Sequence, residues 1–127
     1  MARRVSTSKA PAAIGPYSQA VIAGHTLYAS GQIPLDPATG EIKGGDISEQ
    51  TRQVMRNVGA ILTEAGYSYN DVVKTTCFLA DMKDFAEFNS VYEKYFTDKD
   101  KPARSCVAVK ELPKNVLCEV EVIASHG

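Results

Sequence analysis

The sequence has few of the residues that metal and hydrolase chemistry require. Its 127 residues include two histidines, His25 in a predicted turn and His126 beside the C-terminus. Neither histidine has a second histidine or a carboxylate at ligand spacing, so no metal site is expected. Ser30 does not lie in a GxSxG motif and has no well-placed histidine as its base, which argues against a serine hydrolase.

Cysteine is also scarce. The three cysteines, Cys77, Cys106 and Cys118, cannot all pair with one another, and their spacing matches no CxxC motif. This favours a reduced, cytoplasmic setting. Residues 1–35 contain no acidic residue, a trait shared with organelle transit peptides, so an organellar pool stays open.

No charge of one sign dominates, and no long hydrophobic run is present. Fourteen lysines and arginines balance fifteen acidic residues, for a formal net charge of -1. Binding to nucleic acid or to an anionic membrane is therefore not expected, because it needs clustered, uncompensated cations. The apolar stretches fall far short of the roughly 20 residues that a membrane helix requires. The glycines form neither a Walker loop nor GxGxxG, so no nucleotide cofactor is expected.

The pattern that remains predicts one α+β domain over residues 1–127. A hairpin is predicted from two β-favouring runs at 18–22 and 26–30, and residues 31–35 extend the second run. A helix should begin at the capping-box pair Asp46 and Glu49 and end at Gly66. The predicted order is β-β-β-α-β-α-β-β, completed by a strand at 72–80, a helix at 84–96 and closing strands at 103–110 and 116–124.

Two helices can cover only one face of such a mixed sheet. Strict alternation in the strand at 72–80 places Val73, Thr75, Cys77 and Leu79 together, with Val72 on the other face. The face away from the helices mixes apolar and polar residues, and its simplest cover is another copy of the chain. The sequence therefore predicts a homo-oligomer.

Polar residues on the closing strands are the best candidates for a site. Arg104 carries a planar guanidinium, the group best shaped to grip a carboxylate, and Glu119 can hold or deprotonate a water. If the closing strands form a hairpin, its register decides whether both side chains share a face. A surface ion pair of Arg104 with Glu119 or Glu121 is the structural alternative.

The sequence resembles the Rid family, the reactive intermediate deaminases formerly called the YjgF family. The resemblance covers nearly the whole chain. It is carried by residues 102–114 (PARSCVAVKELPK), 118–121 (CEVE), 9–11 (KAP), 14–20 (IGPYSQA), 30–33 (SGQI) and 73–76 (VKTT), and by Asn89 with Tyr92.

The resemblance implies the chorismate-mutase-like fold, a homotrimer with active sites between subunits, and no cofactor. It implies hydrolysis of 2-iminobutanoate and 2-iminopropanoate to 2-oxo acids and ammonia, which protects pyridoxal-phosphate enzymes from damage by imines and enamines. The implied catalytic residues are Arg104, which binds the substrate carboxylate, and Glu119, which positions water. The other implied substrate-binding positions are Tyr17, Ser30, Gly31, Asn89 and Cys106, whose backbone carbonyl helps to hold the water.

Two other classes of function stay open. One is a non-enzymatic trimer that binds ligands or acts as a holdase. The other is a ribonuclease or translation inhibitor, which is less favoured because the charge is balanced and the sequence has no histidine pair for RNA cleavage.

Overall fold

Six strands form one mixed sheet, and two helices lie against one of its faces. The computed structural model describes residues 2–98 and 100–127. The elements are β1 (Arg3–Val5), β2 (Ala20–Ala23), β3 (Thr26–Ala29), α1 (Ile47–Ala65), β4 (Val72–Leu79), α2 (Phe85–Tyr92), β5 (Ala103–Ala108) and β6 (Cys118–Ser125). The strands lie in the order β1-β2-β3-β6-β4-β5; β4 and β5 are parallel and the other neighbours antiparallel. The predicted α+β class is confirmed, with three strands before α1 and the later elements in the predicted order.

The N-terminal strands differ from the prediction in one respect. The hairpin of β2 and β3 is present, and its turn contains Gly24 at a φ of 62°, a conformation that glycine adopts without strain. The third strand of this group is β1, however, and the segment at 31–35 forms only isolated bridges, at Gln32 and Leu35. Pro34 has no backbone N–H, so this segment does not continue a regular ladder.

Helix α1 has the predicted ends. The Asp46 side chain accepts a hydrogen bond from the Glu49 amide at 2.8 Å, and Gly66 ends the helix at a φ of 82°. The reciprocal contact of the capping box is shifted by one residue, because the Glu49 carboxylate accepts from the Gly45 amide at 3.4 Å. The apolar stripe of α1 is fully buried and includes Val54, Met55, Val58, Ile61 and Leu62.

The second predicted helix is divided into three pieces. The regular helix α2 covers only Phe85–Tyr92, and single 3₁₀ turns precede and follow it at Met82–Asp84 and Glu93–Tyr95. Its aromatic face packs into the core through Phe88, Tyr92 and Phe96.

A β-bulge makes the predicted alternation wrong at the start of β4. The register against β6 shifts between Val72 and Lys74. Val72 is consequently buried with the helix side of the sheet, whereas Val73 is 50% exposed on the other face. From Thr75 onward the burial follows the predicted alternation.

The closing strands do not form a hairpin. Strand β4 lies between them, parallel to β5 and antiparallel to β6. Arg104 aligns with Thr75 on β4, whose side chain is buried under the helices, and Glu119 aligns with Phe78 on the opposite face. The two pairings with β4 therefore decide the orientations of Arg104 and Glu119.

The face of the sheet away from the helices carries exposed apolar side chains. Tyr28, Val73 and Val107 are each about half exposed there, with exposed fractions of 50%, 50% and 47%. Within residues 2–98 and 100–127, no helix has the length and apolar character needed to cross a membrane.

Candidate functional site

The Arg104 side chain lies between β5 and α2. Its Nη1 donates a 2.6 Å hydrogen bond to Oδ1 of Asn89 on α2. The guanidinium carbon lies 4.9 Å from the centroid of the Tyr92 ring and 5.5 Å from that of Phe85. The Tyr92 hydroxyl is hydrogen-bonded at 2.7 Å to Thr75 on β4. These contacts hold the guanidinium in one orientation while leaving most of its N–H donors for another partner.

No carboxylate of the described residues pairs with Arg104. In the described part of the chain, the one side-chain ion pair within 4.0 Å joins His126 to Asp71. Glu119 and Glu121 lie on the other side of the sheet, so the alternative of a structural ion pair with Arg104 within one chain is wrong.

A cleft of about 370 Å³ opens beside the guanidinium, and we call it the Arg104 cleft. Its wall combines two cations and three rings with one amide and one acidic residue, a composition suited to a small anion with an apolar part. Its lining residues are Asn89, Tyr92, Glu93, Phe96, Lys101, Pro102 and Arg104.

Cys106 follows Arg104 on the same face of β5. The Val109 amide donates to the Leu79 carbonyl at 3.0 Å, so by alternation the backbone groups of Cys106 point away from β4, at the free edge of the sheet. Burial raises the pKa of the Cys106 thiol, and the Arg104 charge offsets only part of that rise. The thiol is therefore protonated at neutral pH, and the outward carbonyl is the group available for contacts.

A second cleft, of about 530 Å³, surrounds Glu119, and we call it the Glu119 cleft. It brings together Tyr17, Ser30, Gly31 and Glu119. Ser30 donates its hydroxyl to the Ser18 carbonyl at 2.6 Å and so braces the backbone, while Tyr17 is largely exposed at the rim. The remaining lining residues are Pro11, Ala12, Ile14, Gln32, Ile33, Leu35, Pro113, Lys114 and Glu121.

The backbone of Gly31 lies directly against the Glu119 carboxylate. A Cβ atom at position 31 would overlap the Glu119 Oε2 atom, so any other residue there would displace the carboxylate from its present position. The next residue fixes this approach, because the Gln32 amide donates to the Val120 carbonyl at 2.8 Å and the Val120 amide donates back at 3.1 Å. The Gly31 segment is thereby attached to the strand that carries Glu119.

The surroundings of the Glu119 carboxyl raise its pKa, which favours proton transfer. Burial raises its pKa above the ordinary value, and the charge of Glu121 two residues along the strand raises it further. A carboxylate with a raised pKa is a stronger base for a bound water than an exposed one.

The residues singled out in the sequence therefore form two groups. Arg104, Asn89 and Cys106 lie on the helix side of the sheet, and Tyr17, Ser30, Gly31 and Glu119 lie at the Glu119 cleft. Sequence reasoning gave Phe85 and Tyr92 no role at the site. Tyr92 packs in the core and also contacts the guanidinium, and the helical spacing of Phe85, Asn89 and Tyr92 is the signal that places them together on the side facing Arg104.

Comparison with known proteins agrees with this architecture. The model of the family described as Endoribonuclease L-PSP matches residues 7–126. The chain is 58% identical over 120 residues to a RutC family protein from Pyrococcus horikoshii, covering 94% of each chain. It is 49% identical over 123 residues to a mouse protein named 2-iminobutanoate/2-iminopropanoate deaminase, covering 97% of this chain and 90% of that one.

Solved structures give the same result. A Rid-family protein from Yersinia pestis superposes with a TM-score of 0.96 at 46% identity, and E. coli TdcF, crystallised with bound serine, with a TM-score of 0.92 at 45% identity. In both cases the match covers 98% of this chain and 99% of the other. The shared class is a small α+β protein with two helices on one face of a six-stranded sheet. The chain belongs to the Rid family, also called the YjgF family.

Proposed function

We propose that this protein hydrolyses 2-imino acids, 2-iminobutanoate and 2-iminopropanoate, to 2-oxo acids and ammonia, in a site shared by two copies of the chain. The observation that carries the proposal is the division of the chemistry between two clefts. The Arg104 cleft can bind a carboxylate, and the Glu119 cleft can activate water, but they lie on opposite sides of one sheet. The name of the mouse relative and the serine bound to TdcF support the same substrate class.

Self-association joins the two clefts. The open face of the sheet presents Tyr28, Val73 and Val107, and β5 presents a free edge beside Cys106. Packing of one copy's β5 edge against the Glu119 side of the next is a heterologous contact, the kind that closes into a ring. The resemblance to the Rid family implies three copies in that ring. The resulting homotrimer contains three equivalent sites, each with Arg104 from one subunit and Glu119 from its neighbour.

Binding of the substrate is the task of Arg104. Its free N–H groups form two parallel hydrogen bonds with the substrate carboxylate, and Asn89 keeps the guanidinium plane fixed. Because the imine carbon is bonded directly to that carboxylate, binding of the carboxylate by Arg104 also fixes the position of the imine carbon. Positioning supplies much of the rate enhancement, since an imine already reacts with water unaided.

Glu119 then directs the water. Its carboxylate accepts a proton from the water as the oxygen attacks the imine carbon, and it returns this proton to the imine nitrogen to give the neutral carbinolamine. Glu119 then takes the carbinolamine hydroxyl proton and delivers it to the amino group, so that the C–N bond breaks as the C=O bond forms and ammonia departs with the 2-oxo acid. A positioned carboxylate in this role contributes about 10² to 10⁴-fold. No cofactor takes part, and we place the activity in the cytoplasm, where it removes imines and enamines that damage pyridoxal-phosphate enzymes.

The direct test generates the imine with an amino-acid oxidase and traps it with semicarbazide. Catalytic amounts of the protein should lower the trapped fraction, and Arg104→Ala should reduce kcat/KM by about 100-fold or more, because the carboxylate is no longer held. Arg56→Ala is the matched control, since Arg56 is an exposed arginine of α1 that lines neither cleft.

Other outcomes of this test point to the other classes of function. A trapped fraction that no amount of protein lowers would reject the deaminase. Binding of 2-oxobutanoate without turnover would then identify a ligand-binding protein, and protection of a denaturing client a holdase. If the protein cleaves RNA, and the Arg104→Ala and Glu119→Gln variants cleave it equally well, the protein is a ribonuclease with a different site.

A further inference from the structure

Helix α1 carries buried amide side chains among its apolar residues. Gln50, Gln53 and Asn57 are spaced three and four residues apart, and each is less than a tenth exposed. A buried amide is costly unless it is hydrogen-bonded, so these side chains must have partners. Most of their partners are backbone carbonyls of the irregular segment that leads from the Glu119 cleft back to α1; Gln53 also bonds Asn57 within the helix, and Gln50 accepts from the Leu117 amide.

Asn57 makes the densest set of these contacts. Its Nδ2 donates to the Ile33 carbonyl at 3.1 Å and to the Leu35 carbonyl at 3.0 Å. Its Oδ1 accepts from Nε2 of Gln53 at 2.9 Å, and the same Nε2 approaches the Leu35 carbonyl at 3.4 Å. Gln53 thus fixes which end of the Asn57 amide faces the two carbonyls.

Within this segment the Gln32 bridge to Val120 holds the Gly31 end, and Asn57 holds the part that follows, at Ile33 and Leu35. Residues 31–35 form only isolated bridges, because Pro34 interrupts the ladder. The same segment builds one wall of the Glu119 cleft through Gly31, Gln32, Ile33 and Leu35. Ile33 and Leu35 lie beyond the Gln32 bridge, so a shift of either residue deforms this wall of the Glu119 cleft directly.

We propose that Asn57 is a positioning residue for the reaction: its two hydrogen bonds hold Ile33 and Leu35, and so keep this wall of the Glu119 cleft in the shape that places the water at Glu119. This inference rests on the proposed function, in which Glu119 orients the water. Asn57 itself touches no substrate, since it lines neither cleft.

The informative substitution is Asn57→Asp, which keeps the shape but turns an oxygen toward both carbonyls in place of the N–H donors. Val58→Ala is the control, because Val58 is a fully buried neighbour on α1 whose truncation destabilises the fold without a polar link to the segment 31–35. Gln53→Leu removes the group that orients Asn57 and should reproduce the Asn57→Asp defect in weaker form.

Two measurements separate positioning from general destabilisation. Asn57→Asp should lower kcat by about 10- to 100-fold, with a smaller change in KM because Arg104 is untouched, while Val58→Ala changes neither. Amide hydrogen exchange should rise in residues 31–35 in Asn57→Asp and not in Val58→Ala.

The outcomes are decisive in each direction. Faster exchange at 31–35 with unchanged kcat would overturn the proposal by showing that Asn57 is structural only, and a fall in kcat without faster local exchange would overturn the stated mechanism. If the wild-type protein does not hydrolyse imines, the proposed function fails by itself. Exchange at 31–35 together with 2-oxobutanoate affinity then tests Asn57: faster exchange and weaker affinity in Asn57→Asp support its positioning role at the cleft, and no change in either rejects it.

Discussion

Mixing two inactive variants tests whether Arg104 and Glu119 of different chains share one site. Arg104→Ala removes the guanidinium from the Arg104 cleft and leaves the Glu119 cleft unchanged. Glu119→Gln removes the carboxylate from the Glu119 cleft and leaves the Arg104 cleft unchanged. The two clefts lie on opposite sides of the sheet, so neither substitution disturbs the other cleft. Each homogeneous oligomer should be inactive, whereas a mixed oligomer contains some sites with both groups present.

The expected recovery follows from the geometry. In a ring with heterologous interfaces, each site takes Arg104 from one subunit and Glu119 from its neighbour. In an equal mixture each of these two residues is wild-type with a probability of one half, so about one quarter of the sites contain both. The variants are co-refolded, mixed oligomers are confirmed by native mass spectrometry, and imine hydrolysis is followed with semicarbazide. A mixture of Arg104→Ala with the double variant is the control and should recover nothing. Mixed oligomers that show only the sum of the separate residual activities would refute a shared site.

Four further results are expected. Gly31→Ala should abolish imine hydrolysis, because its Cβ displaces the Glu119 carboxylate from the water; turnover at the wild-type rate would contradict this. Glu121→Gln removes a charge that raises the pKa of Glu119, so the acid limb of the kcat profile should move to lower pH. Since the folded-state pKa of Glu119 is raised, its contribution to stability is lost as pH rises through that pKa, and Glu119→Gln should increase the free energy of unfolding at pH 7 but not below pH 4. Val107→Asp places a charge on the open face of the sheet and should shift the protein toward monomers in sedimentation velocity, with loss of activity.

Local signals were sufficient for the elements whose ends are decided by neighbouring residues. The Asp46 cap and the αL glycine at Gly66 mark the ends of α1, and the turn at Gly24 joins β2 to β3. Burial of Cys118, Val120 and Val122 also follows directly from alternation in β6. Capping, turn geometry and alternation each act over a few residues, so the sequence contains the whole of that information.

The sequence also identified the residues of the candidate site, but it did not predict their arrangement. Arg104 and Glu119 were considered as neighbours on a hairpin, whereas β4 lies between their strands and they occupy opposite sides of the sheet. The bulge after Val72 and the support of residues 31–35 by Asn57 were likewise absent from the local pattern. Strand order, register shifts and buried amide contacts join residues that are distant in the chain. Which of the possible arrangements is stable depends on how these residues pack together in the folded protein. The sequence by itself therefore determined which groups carry the chemistry, and only the tertiary structure decided that one chain holds them as two separate halves.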